Sequence, residues 1–193
     1  MARKTSRAAR RGSGSAGAGR RRRANRLFET ALDAHRQGRI GDAERLYQDV
    51  LGAEPDHTGA LQHLGILVQQ RGDVGESVRL LSRAAAITPS DPLLQNNLGN
   101  ALRSRGDHAQ AISAYRAAVA SDAGYVNALY NLAGLLQEQG EGVESEACYR
   151  RVVALAPVDV GAWMGLGMTL LDQDRDDDAL PCFERAVSLR PED

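Results

Sequence analysis

The chain repeats itself every 34 residues, and that period constrains what it can fold into. Pro55 and Pro89 stand one period apart, Pro157 follows two periods later, and Pro191 one period after that. Gly38, Gly72, Gly106 and Gly140 recur at the same interval, with Asp174 as the fifth member of the series. Tyr47, Leu81, Tyr115, Tyr149 and Phe183 form a series of large residues. Four positions before each stands a small one: Ala43, Ser77, Ala111, Ser145 and Ala179. The stretch 95–118 shows what one period contains. Leu98, Gly99 and Leu102 make the apolar stripe of a first short helix, ended at Gly106 after a basic last turn holding Arg103 and Arg105. Ala111, Tyr115, Ala118 and Val119 make the stripe of a second. A helix pair this small cannot bury its apolar faces alone, so each copy needs its neighbours.

Two helices per 34-residue period, with Trp163, Leu166-Gly167, Leu170, Ala179, Phe183 and Pro191 at their places in the last copy, resemble the tetratricopeptide repeat over residues 24–193. The resemblance implies an all-α fold, a right-handed superhelical α-solenoid of five helix pairs: 24–57, 58–91, 92–125, 126–159 and 160–193. The landmarks predict helices at 25–37, 41–53, 59–71, 75–87, 92–105, 109–120, 126–139, 143–155, 160–173 and 177–189. Gly65, Gly99, Ala133 and Gly167 share one place and stay small, where the family brings the two helices of a repeat closest. Asp174 replaces the turn glycine with a residue that visits the left-handed region more readily than most. Pro181 is expected near the first turn of the last helix. The first repeat is a degenerate cap, with Thr30 and Ala34 where later copies carry larger apolar residues.

Charge divides the chain unevenly. Residues 1–26 carry Arg3, Lys4, Arg7, Arg10, Arg11, Arg20, Arg21, Arg22, Arg23 and Arg26 and no acid, about +10, whereas the remainder carries −11. Residues 1–23 have no apolar period and are read as a disordered Arg-rich arm. Such an arm could meet nucleic acid, but no aromatic residue is interleaved to stack on bases, which disfavours that partner. No apolar run approaches the length of a membrane span, no secretory leader is expected, and a membrane partner is not expected either. Cys148 and Cys182 are one period apart, too far for a disulfide between stacked repeats, and are read as reduced thiols of a cytoplasmic protein.

The sequence holds no catalytic constellation, no metal-ligand spacing and no cofactor motif, so no enzyme, metal or cofactor is expected. The series Asp172, Asp174, Asp176 suggests a calcium loop, but its sixth and twelfth places hold Asp177 and Phe183, which excludes one. What remains is a surface. The resemblance implies that the first helices line a concave groove in which a protein or extended peptide lies. It places there Phe28, Leu32 and His35; Gln62, His63, Ile66 and Gln69; Asn96, Asn97, Asn100 and Arg103; Asn127, Tyr130, Asn131 and Gln137; and Met164 and Met168. Asparagine neither favours helices nor belongs in cores, so its density here asks for a reason.

Asn97-Leu98-Gly99 and Asn131-Leu132-Ala133 are similar to the motif of the asparagine ladder in the repeats of protein O-GlcNAc transferases, which implies bidentate binding of a peptide backbone. The equivalent places in the other repeats hold Glu29, His63 and Gly165. Two readings stay open: a peptide-binding scaffold or adaptor, or the substrate-docking front of a longer transferase, glycosyl or sulfo, whose catalytic domain would follow Asp193. With no capping helix after the last repeat, Leu180, Phe183 and Val187 are expected to be exposed.

Overall fold

The computed structural model describes residues 5–190, with side chains from residue 17 onward. Arg3 and Lys4 of the basic arm and Pro191 of the proline series lie outside the described residues. Among these residues the secondary structure is ten α-helices and no strand: α1 (Thr5–Arg36), α2 (Ile40–Ala53), α3 (Thr58–Gln70), α4 (Val74–Ile87), α5 (Pro92–Arg105), α6 (His108–Ser121), α7 (Val126–Glu138), α8 (Gly142–Leu155), α9 (Val160–Leu171) and α10 (Asp176–Ser188). Nearly all boundaries fall within two residues of those expected from the landmarks. The exception is the start of α1, which runs back to Thr5 where the sequence reading places a disordered arm. Ala and Arg, which dominate that stretch, are strong helix formers and continue the helix that Leu27 and Phe28 anchor. Pro181 sits sixth in α10, deeper than the first turn; the bond it forgoes is the one to the carbonyl of Asp177, an exposed first-turn residue.

The mid-repeat turns are alike. Gly38, Gly72, Gly106 and Gly140 have φ of 73°, 94°, 88° and 78°, and Asp174 follows with φ 58°. At Gly106 the chain reverses through two bonds, Gly106 N–H to Arg103 O at 3.0 Å and Asp107 N–H to Leu102 O at 3.0 Å. The last carbonyls of α5 are thereby satisfied, as a left-handed residue after a helix allows. Asp174 and Arg175 make the same pair of bonds to Leu171 O and Leu170 O, so the aspartate does the glycine's work.

The chain divides into two compact units, residues 1–88 and 89–193. In the first, α1 packs on α2, α2 on α3 and α3 on α4. In the second, each helix from α5 to α10 packs on the next, and α7 also touches both α5 and α9. The first helices of the third, fourth and fifth repeats therefore lie side by side. Small residues let the pairs close. A Cβ on Gly99 would stand 2.5 Å from the Tyr115 ring, and one on Gly167 would stand 2.7 Å from the Phe183 ring. In the first unit a Cβ on Gly65 would stand 2.9 Å from Leu81. The core is built from these contacts together with fully buried Tyr47, Leu61, Leu129, Leu135, Leu136 and Val152. Cys148 and Cys182 are buried free thiols, and burial pushes both above the ordinary thiol range. Leu180 and Val187 are exposed, as expected, but Phe183 is half-buried because its ring lies over Gly167.

Candidate functional site

Three polar cross-links, each between residues 35 apart, bind the parallel first helices of the second unit: Asn131 to Asn96, Arg103 to Glu138, and Gln137 to Asp172. Between the first two of these helices lies a cleft of about 600 Å³. Its wall holds Asn96, Asn97, Asn100, Asn127, Tyr130 and Asn131, all expected on the groove, together with Leu93, Tyr125, Val126 and Asp159. The volume falls within the range of ordinary ligand pockets.

The amides divide into two kinds. Asn131 Nδ2 donates to Asn96 Oδ1 at 2.9 Å and to Asn100 Oδ1 at 3.2 Å. Tyr115 Oη donates to the same Asn100 oxygen at 2.7 Å. This chain of bonds ties α5, α6 and α7 together. Desolvation by burial pushes the Tyr115 phenol up to about 12, so it remains a donor at neutral pH. Asn131 has spent both N–H groups and keeps only its oxygen for a ligand. Asn96, expected on the open groove face, is instead buried at 5% exposure and acts as the acceptor that holds α7 to α5. Asn97 and Asn127 are different: among the described residues nothing pairs with either amide, and both line the cleft. Each can donate and accept at once, as a peptide group requires.

Tyr130, 37% exposed, is held edge-on against Tyr149, with ring centroids 5.8 Å apart. The Tyr149 ring in turn covers Gly165, where an added Cβ would stand 2.4 Å away. Gly165 occupies the fifth repeat's place in the series of Asn97 and Asn131. Glycine is there because the tyrosine of the preceding repeat fills the space. Arg103 does not line the cleft and is ion-paired with Glu138.

Gln62, His63 and Gln69 belong to the first unit, on α3. His63 stacks on Tyr47, with centroids 5.6 Å apart and planes 11° from parallel; Phe28 and His35 lie 5.8 Å and 6.0 Å from it. His35 Nδ1 is 3.3 Å from Tyr47 Oη. Burial first, and the neighbouring His35 second, lower the His63 pKa below its ordinary value, while burial pushes Tyr47 up to about 12. His63 is thus a packing residue of an aromatic cluster. Met164 and Met168 are exposed on α9.

Sequence reasoning missed Leu93, Tyr125, Val126 and Asp159. A signal existed: Tyr125 and Asp159 are one period apart, at the place just before a first helix, and Leu93 and Asn127 are one period apart just inside it. No group of three or more His, Cys, Asp or Glu among the described residues could hold a metal ion, and no described helix is long and apolar enough to cross a membrane.

Comparison with known proteins agrees with the repeat geometry. Two family models of the tetratricopeptide repeat match, one at residues 34–100 and 102–162 and the other at 135–193. No curated protein sequence matches the chain. Among solved structures, a crystal structure of MamA matches with TM-score 0.79 and 21% identity, covering 88% of this chain and 92% of that one. MamA from Desulfovibrio magneticus RS-1 matches with TM-score 0.79 and 19% identity, covering 88% and 97%. YrrB, described as a tetratricopeptide-repeat protein with an unusual peptide-binding site, matches with TM-score 0.76 and 17% identity, covering 86% of each chain. At these identities the likeness is one of fold, and it is the same fold in each case. With both family models matching across the helix pairs described above, the chain belongs to the tetratricopeptide repeat family.

Proposed function

We propose that the chain is a protein-interaction scaffold, with no chemistry of its own, whose second unit holds an extended peptide in the cleft between α5 and α7. The observation that carries this reading is the pair of unpartnered amides, Asn97 and Asn127, on the wall of one cleft beside the bound amides of Asn100 and Asn131. Amides are the side chains that match a peptide group in both donor and acceptor, so a ligand is read through its backbone. The resemblance of Asn97 and Asn131 to the asparagine ladder supports the same mode, in reduced form: Asn97 engages a peptide group at both ends, and Asn131 accepts only. The peptide-binding site ascribed to YrrB, whose fold this chain shares, is a further support.

The test is a titration of the full chain, labelled with ¹⁵N, with an acetylated and amidated nonapeptide of mixed Gly, Ala and Ser. The reading expects saturable shifts of the Asn97, Asn127 and Asn131 side-chain amide signals. Shifts confined to residues away from the cleft would contradict it.

A further inference from the structure

The cleft has one carboxylate on its wall, Asp159, and no lysine, arginine or histidine. One of its carboxylate oxygens is fixed, because Oδ1 accepts from Ala162 N–H at 2.9 Å and so caps α9. The other has no partner among the described residues. Neither nearby arginine lines the wall: Arg103 is ion-paired with Glu138, and Arg151 donates to the carbonyl of Ala123. Asp159 therefore faces the cleft with no basic side chain sharing the wall to offset its charge.

Its surroundings are of a particular kind. A Cβ built on Gly161 would stand 2.8 Å from Tyr130 Oη and 3.3 Å from Asp159 Oδ1, so phenol and carboxylate flank the same point of the backbone, and no side chain at 161 separates them. Tyr130 is kept in place by the Tyr149 ring, and Tyr125, Leu93 and Val126 add aromatic and aliphatic wall. Tyrosines and aliphatic side chains on one wall together with a carboxylate match the two halves of a lysine or arginine side chain, whose stem is apolar and whose head is cationic. A tyrosine face adds attraction for the head. An acidic ligand side chain would meet an uncompensated like charge instead.

We infer that the cleft prefers an extended peptide carrying a basic residue, lodged between Tyr130 and Asp159, with Asp159 as the determinant of that preference. The inference rests on the backbone-reading cleft proposed above and adds the side-chain class to it. Because amides read the backbone in any register, a basic residue in the peptide can slide to the carboxylate.

Three labelled nonapeptides, acetylated and amidated, of one Gly/Ala/Ser host with Lys, Gln or Glu at the centre, decide it by fluorescence anisotropy with the full chain. The expected order is Lys, then Gln, then Glu, with Lys about three- to fivefold tighter than Gln, the size of a partly exposed ion pair with an aromatic contribution. Asp159→Asn keeps a good helix cap and should bring the Lys peptide to the affinity of the Gln peptide. In the unmodified chain, about 0.5 M salt should shrink the Lys preference while leaving the Gln peptide nearly unchanged. Equal binding of Lys and Gln peptides, both weakened by Asn97→Ala, would overturn the basic preference and leave backbone reading standing. No binding by any of the three would overturn both.

Discussion

Asn131 on α7 donates to Asn96 Oδ1 on α5 at 2.9 Å, and Asn96 is buried at 5% exposure. One amide pair thereby fixes the spacing of the two helices that form the cleft. It also explains why neighbouring asparagines have different work. Asn96 and the N–H groups of Asn131 are occupied in holding the wall, and Asn97 and Asn127 are left to meet a ligand.

Replacing Asn96 by Ala should accordingly destabilise the protein, because Asn131 loses an acceptor in a half-buried place. The expected loss is about 1–3 kcal/mol. Asn97→Ala, one residue away, should leave stability nearly unchanged, since alanine favours the helix and no bond is lost. Chemical denaturation of both variants checks the contrast; equal losses would contradict the division of roles.

The fold was legible in the sequence because the repeat puts the same demand on the same place each time. Gly99 and Gly167 are small for one steric reason, and Gly38 to Gly140 adopt one turn for one backbone reason, so the period exposes them. The site was only partly legible. Asn97, Asn100, Asn127, Tyr130 and Asn131, which line the cleft, are reached from the sequence through the family resemblance, which puts first-helix residues on the groove. The sequence could not tell Asn96 from Asn97, since burial depends on which oxygen the next repeat's amide reaches. Asp159 reads locally as an ordinary helix cap, and only the neighbouring helix turns it into cleft wall. Residues 5–23 have no apolar period, which in a sequence marks disorder, but their Ala and Arg favour the helix and continue α1 back to Thr5.

Gly99→Ala and Gly134→Ala should move stability in opposite directions. At Gly99 the new methyl would stand 2.5 Å from the Tyr115 ring and disturb the phenol that bonds Asn100. Overpacking of this kind costs about 1–3 kcal/mol. At Gly134 the nearest atom is Tyr149 Oη at 3.5 Å, an ordinary contact. Removing a helical glycine there should stabilise by up to roughly 1 kcal/mol. Thermal melts of the two variants give the signs directly.

Asp174 holds φ 58°, a conformation that costs a residue with a Cβ more than it costs glycine. Asp174→Gly should raise stability by roughly 0.5–1 kcal/mol, and Gly106→Ala should lower it by a similar amount. A fall in the melting temperature of Asp174→Gly would show that the aspartate side chain supplies more than the turn requires.

His63 should make stability depend on pH. Burial and the nearby His35 hold its folded-state pKa below the ordinary value of 6.5, so the folded protein keeps it neutral while the unfolded chain takes up a proton. Stability is then fully present above about pH 6.5 and is lost as pH falls toward the folded value. Melting temperatures between about pH 7.5 and about pH 5.5 should fall further for the unmodified chain than for His63→Gln. Parallel profiles would contradict this assignment.

The most direct test of the account is the affinity of Asn97→Ala for two peptides with the same length and different side chains, measured against the unmodified chain. Two hydrogen bonds to a peptide group, each contributing about 0.5–1.5 kcal/mol, are removed. The account predicts a loss of roughly five- to a hundredfold, similar for both peptides, with an unchanged melting temperature. Affinity that ignores the substitution, or a loss confined to one peptide, would contradict a cleft that reads the backbone.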